Sequence, residues 1–123
     1  MKTLILLAAL AQVQPGNWEL SVTTWMAGAD KPVGPLQRTQ CFTEADARDP
    51  NRVLGGGGSC EFSNQRESGG VLTFDVKCTG PLPMEGTGSI RQGADAFEGD
   101  LDLSAGQGFG MRSKIAGKRL GPC

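Results

Sequence analysis

A chain of 123 residues is the length of one domain, and with 38% hydrophobic and 6% aromatic residues its core must be thin. Twelve basic residues stand against 13 acidic ones, a formal net charge of −1, so there is no basic excess to neutralise nucleic-acid phosphates. There is no His and no Tyr, which removes the usual general base and the commonest metal ligand, so a Ser-His-Asp or Cys-His nucleophilic site cannot be assembled from this chain alone.

The N-terminus carries Lys2, an apolar run from Leu4 to Leu10, and the small-x-small sequence Ala9-Leu10-Ala11. These are the parts of a secretory signal, shorter than usual, covering residues 1–11 with cleavage after Ala11. Residues 12–123 then form a single domain. The apolar run is too short to span a bilayer, which takes ~20 apolar residues, and no Cys follows it to carry a lipid.

Pro15-Gly16 marks a turn, and from Asn17 to Thr24 the residues alternate, with Trp18, Leu20 and Val22 on one face of a predicted strand. Ala27 to Pro35 reads as a loop, and a second strand is expected from about Leu36 to Phe42. Thr43-Glu44-Ala45-Asp46 resembles a capping box with Asp at the third helical position, predicting one short helix after Cys41 that ends at Asp49-Pro50. Gly55 to Gly58 has no following Lys-Ser/Thr to make a phosphate cradle and reads as a linker. Further strands are predicted at Cys60–Arg66, Val71–Cys78, Met84–Arg91, Ala96–Leu103 and Phe109–Leu120, most of them separated by Gly-containing turns. In the clearest of these, Leu72, Phe74 and Val76 face inward and Thr73, Asp75 and Lys77 outward. The expected fold is all-β: an antiparallel meander of about seven strands curled into a partly closed barrel or a sandwich.

Cys41, Cys60, Cys78 and Cys123 lack the paired short spacing of a zinc site. An even count behind an export signal indicates two disulfides. The expected pairing is Cys41 with Cys60, which would close the excursion holding the helix and the glycine run, and Cys78 with Cys123, which would tie down the terminal strand.

An ordered set of segments is similar to those of a known family. Pro15-Gly16-Asn17-Trp18-Glu19 and Gln40-Cys41-Phe42-Thr43-Glu44-Ala45-Asp46 come first. Cys60, the run Phe74 to Gly80, Phe97-Glu98-Gly99 and the run Gly117 to Cys123 follow. Over about residues 15–123 the chain resembles the proteobacterial family called domain of unknown function 3617. The resemblance implies an exported, mostly periplasmic domain and no particular activity.

The remaining acid–base material is carboxylate. Asp95, Glu98, Asp100 and Asp102 lie close in sequence, as do Glu44, Asp46 and Asp49, but alternate strand residues simply share a solvent face. Arg112, Lys114 and Lys118 would meet the first group across a hairpin. No metal, no cofactor and no catalytic residue are therefore expected. The expected role is a non-enzymatic envelope binding or interaction module, with Trp25 and Met26, beyond the first strand, as its contact surface. An alternative is an apolar small-molecule carrier whose cavity is lined by Trp18, Trp25, Phe74, Phe97, Phe109 and Met111, although these residues read first as core, since with so few aromatics the core needs them. A carboxylate-based hydrolase and a self-assembling structural protein stand behind these. Its partner would thus be an envelope protein or an apolar small molecule. Intact mass spectrometry of the exported protein should show a chain beginning near Gln12; a full-length chain starting at Met1 in the soluble cytoplasmic fraction would refute the leader reading.

Overall fold

The computed structural model describes residues 13–54, 60–93, 95–106 and 108–123, so the predicted leader and the glycine run Gly55 to Gly58 lie outside the described residues. Seven strands form: β1 Gly16–Met26, β2 Val33–Phe42, β3 Cys60–Ser68, β4 Val71–Cys78, β5 Met84–Gln92, β6 Ala96–Gly106 and β7 Phe109–Gly121. Every predicted strand is present, several of them a few residues longer than the alternation alone suggested. All pair antiparallel in one sheet of order β2-β1-β7-β6-β5-β4-β3.

β3 to β7 form a continuous meander, and the β1–β2 hairpin joins it through β1–β7 pairing. This order puts β2 and β3, consecutive in the chain, at opposite edges, so the segment between them must cross the sheet. It crosses as two helical turns, α1 Glu44–Ala47 and α2 Pro50–Val53. The capping box is present as read. Thr43 Oγ1 accepts from the Asp46 amide at 3.1 Å, and an Asp46 carboxylate oxygen accepts from the Thr43 amide at 3.1 Å. Pro50 ends α1 as expected, but it also opens α2, where its fixed φ suits a first helical turn and its missing N–H goes unneeded.

Alternation along the strands sends one set of side chains to the face the excursion covers. Trp18 and Leu20 of β1, Leu72, Phe74 and Val76 of β4, Ile90 of β5, Phe97, Leu101 and Leu103 of β6 and Ile115 of β7 are buried there, joined by Ala47, Val53 and Leu54 from the excursion. Each such large side chain stabilises the fold by roughly 1.5–3 kcal/mol. Trp18 is fully enclosed between Phe42 and Phe97, with ring centroids 6.2 and 5.3 Å away, and its indole N–H donates to the Gln14 carbonyl at 2.8 Å.

Two strand glycines act as seats. The Phe97 ring lies on its cross-strand partner Gly117, where an added Cβ would run into the ring. Leu54 lies on Gly99, where a Cβ would stand 2.5 Å from Leu54 Cδ2. Enlarging either residue would overpack the core, a change that typically costs about 1–3 kcal/mol.

β1 and β3 are five strand steps apart, about 24 Å on a flat sheet. Val22 of β1 and Phe62 of β3 nevertheless line one cavity. The sheet is therefore strongly curled, with its covered face concave, although β2 and β3 do not pair and the sheet is not closed.

The expected disulfide pairing is incorrect. Cys41 bonds Cys123, and Cys60 bonds Cys78. The expectation took the excursion for a loop with adjacent ends, whereas it runs from one edge of the sheet to the other and leaves Cys41 and Cys60 on opposite edge strands. Cys60 instead stands opposite Cys78 in the β3–β4 ladder. Asn17 pairs with Cys41 on one side and Gly121 on the other, so Cys123 reaches Cys41 across the start of β1, with 5.7 Å between Cα atoms. Each bond thus secures one edge. On chain-entropy grounds the bond of separation 18 contributes roughly 3 kcal/mol and that of separation 82 roughly 4–5 kcal/mol. Peptide mapping without reduction should recover the Cys41 peptide joined to the C-terminal peptide; recovering it joined to the Cys60 peptide would contradict the topology.

Candidate functional site

The concave face is not filled evenly. One inner row reads Met26 of β1, Met111 of β7, Leu103 of β6, Gly86 of β5, Val76 of β4 and Phe62 of β3. The next reads Thr24, Ser113, Leu101, Gly88 and Phe74. At both rows β5 supplies a glycine where its neighbours supply large side chains. The Phe74 ring occupies the place of a side chain at Gly88. At Gly86 an added Cβ would run into the Asp102 carbonyl of β6, so that glycine permits close approach of the two strands. The concave face also carries a cavity of about 360 Å³.

The wall of this cavity is apolar almost throughout. Val22, Phe62, Val76, Leu101, Leu103, Met111 and Ile115 come from the strands, Leu54 from the end of the excursion, and Leu82 and Met84 from the β4–β5 connection and the start of β5. The Cys60–Cys78 bond forms part of it. Its polar members are Thr79 and Ser113, and no charged residue lines it. Ser113 is the one buried polar side chain among the described residues, 7% exposed, and its hydroxyl lies 3.0 Å from that of its cross-strand partner Thr24.

A second depression, of about 420 Å³, lies on the rim where β1, β6 and β7 end. Trp25 (38% exposed), Met26 (37%) and Phe109 (41%) line it, with Leu103 and Met111, which it shares with the cavity. Trp25 and Met26 are the last two residues of β1, not a segment beyond it. As neighbours on a strand they point to opposite faces. Trp25 lies on the convex side, where the Arg112 guanidinium sits 5.8 Å from its ring centroid, while Met26 shares the inner row with Met111. They edge one rim but do not form a single patch.

Of the other aromatic residues considered as cavity lining, Trp18, Phe74 and Phe97 are buried core. Alternation alone could not separate these roles. The wall is drawn from β1, β3, β4, β5, β6 and β7, so the cavity is located only once those strands are paired in order.

The carboxylates of β6 fall on the convex face among cations. Asp100 is opposite Lys114 and Asp102 opposite Arg112, whereas Glu98 is opposite Arg91 and Ala116. Lys118 faces Glu19 and Ala96 instead of the β6 acids. Asp46 is used by the cap, and its carboxylate also meets Arg52 at 3.3 Å, linking α1 to α2. Among the described residues no group of three or more Cys, Asp or Glu is arranged to hold a metal ion, and no helix is long and apolar enough to cross a membrane.

The chain matches, over residues 13–123, the family described as "Protein of unknown function (DUF3617)", and it belongs to that family. No curated protein and no solved structure matches it.

The Thr43 amide and hydroxyl, and then Arg52, hold the Asp46 carboxyl below its ordinary value near 4. A group depressed in the folded state adds stability above its unfolded pKa and loses it as pH falls through the folded one. The excursion that presents Leu54 to the cavity should therefore loosen in acid. Protection factors for amide hydrogen exchange at residues 44–54 should fall below about pH 4 in the native protein. Asp46→Asn should already exchange faster at neutral pH, with most of that acid dependence gone; an unaltered acid dependence in the variant would show that the cap does not govern the excursion.

Proposed function

We propose that this chain is an exported, non-enzymatic binding module of the cell envelope, and that its ligand site is the apolar cavity on the concave face. One observation carries the reading: a partly open pocket of about 360 Å³ on the concave face is walled mostly by apolar side chains. Apolar surface left in contact with water is unfavourable, and a ligand seated in a pocket within the usual size range for small-molecule sites would remove it from water. Two disulfides support placement in an oxidising compartment. The lack of His and the spread of the carboxylates among cations favour binding over catalysis.

The neutral fluorophore N-phenyl-1-naphthylamine tests the site. Its emission should rise and shift to the blue with saturation at one equivalent. Val22→Phe, which places a ring into the cavity from β1, should weaken binding about tenfold or more without lowering the melting temperature. Non-saturating emission, or equal affinity in the variant, would refute the assignment.

A further inference from the structure

We infer that the cavity selects a neutral amphiphile, an apolar body bearing one hydroxyl or carbonyl oxygen, and that the Ser113–Thr24 hydroxyl pair is the group that recognises that oxygen. This rests on the cavity being a ligand site.

Position 113 lies between Met111 and Ile115 on the inner face of β7, where packing alone calls for a third apolar side chain. A serine there, more than nine-tenths buried, carries a desolvation cost that a hydrogen bond must offset. The bond to Thr24 does so in part. Two hydroxyls bring two O–H protons, and the contact between them uses one. The other proton has no acceptor among the described residues, and neither do the hydroxyls' remaining lone pairs have a donor. Ser113 forms part of the cavity wall, so this unused capacity is available to a molecule inside. One ligand oxygen can accept the free proton, and a ligand hydroxyl can also donate in return.

Charge is excluded by the rest of the wall. No Lys or Arg lines the cavity. An ionised carboxylate or phosphate would lose its water with no cation to meet it, which is far more costly than burying a neutral oxygen with one hydrogen bond. Size sets the remaining limit. At about 30 Å³ for each water volume, the space holds a dozen waters' worth, or a ligand of roughly 10–20 non-hydrogen atoms.

Competition against bound N-phenyl-1-naphthylamine on the oxidised full chain tests this. At about pH 8, where a fatty acid is ionised, 1-decanol should displace the fluorophore at a concentration about tenfold or more below that required for decanoate. Ser113→Ala and Thr24→Val should each weaken displacement by 1-decanol roughly 3- to 10-fold. Their melting transitions should match that of the native chain, which reports that they are folded, and each displacement is read relative to that variant's own affinity for the fluorophore. If the fluorophore binds but decanoate competes as well as decanol, or both variants respond to decanol like the native chain, the hydroxyl pair is not the selecting group although the cavity binds. If the native chain does not bind the fluorophore, the cavity reading fails and this inference fails with it.

Discussion

A single curled sheet has one apolar face that must be kept from water, and here the excursion between β2 and β3, described over residues 43–54, supplies the cover. Everything else follows from the crossing it makes. β2 and β3 end up at opposite edges, and the described residues 43–54 between them pack against the concave side. Two helical turns give that passage defined backbone hydrogen bonds, and Ala47, Val53 and Leu54 turn its underside into core. Leu54 sits against the backbone at Gly99, so the cover approaches closely at the middle of the sheet and leaves space further along.

Local signals in the sequence located the strands and α1 but not α2, which Pro50 opens. Alternation marks β1, β4, β6 and β7, each with one wet and one dry face, whereas β2 is exposed along almost its whole length. The Thr43–Asp46 box located α1 because both of its hydrogen bonds close within four residues. What could not be read locally was the relation between distant segments. The disulfides show this clearly: Cys41 and Cys60 look like the two ends of one loop until the strand order separates them. Part of the correct answer was nevertheless within reach. Cys60 and Cys78 flank the Gly69-Gly70 turn at nearly equal distance, and a one-residue register shift between Ser63 and Arg66 sets them opposite one another.

The candidate site was less legible than the fold. Aromatic residues were the natural suspects for a binding wall, yet Trp18, Phe74 and Phe97 hold the core, and the wall is mostly aliphatic. The wall is assembled from six strands and the end of the excursion, so no pattern in a single strand marks it. Ser113 is a comparable case. In sequence it is an unremarkable polar residue in a strand; only the neighbours at 111 and 115 and the partner at 24 reveal it as a polar group on a dry surface.

The placement of the two sulfur bridges has a consequence for the order in which the molecule can be finished. A polypeptide emerges N-terminus first, so Cys41 appears before Cys60, Cys60 before Cys78, and Cys123 after all of them. In an oxidising compartment the first two thiols to meet are those that must not stay joined. The β3–β4 hairpin can settle its own bridge soon after Cys78 arrives, since only 18 residues separate that pair. Cys41 must wait for a partner 82 residues downstream, through the emergence of every strand that lies between them. Consecutive oxidation would lock both edges of the sheet to each other before the sheet exists. Maturation therefore depends either on the hairpin bridge outcompeting the consecutive one or on an enzyme that reshuffles sulfur bonds after the last strand has arrived.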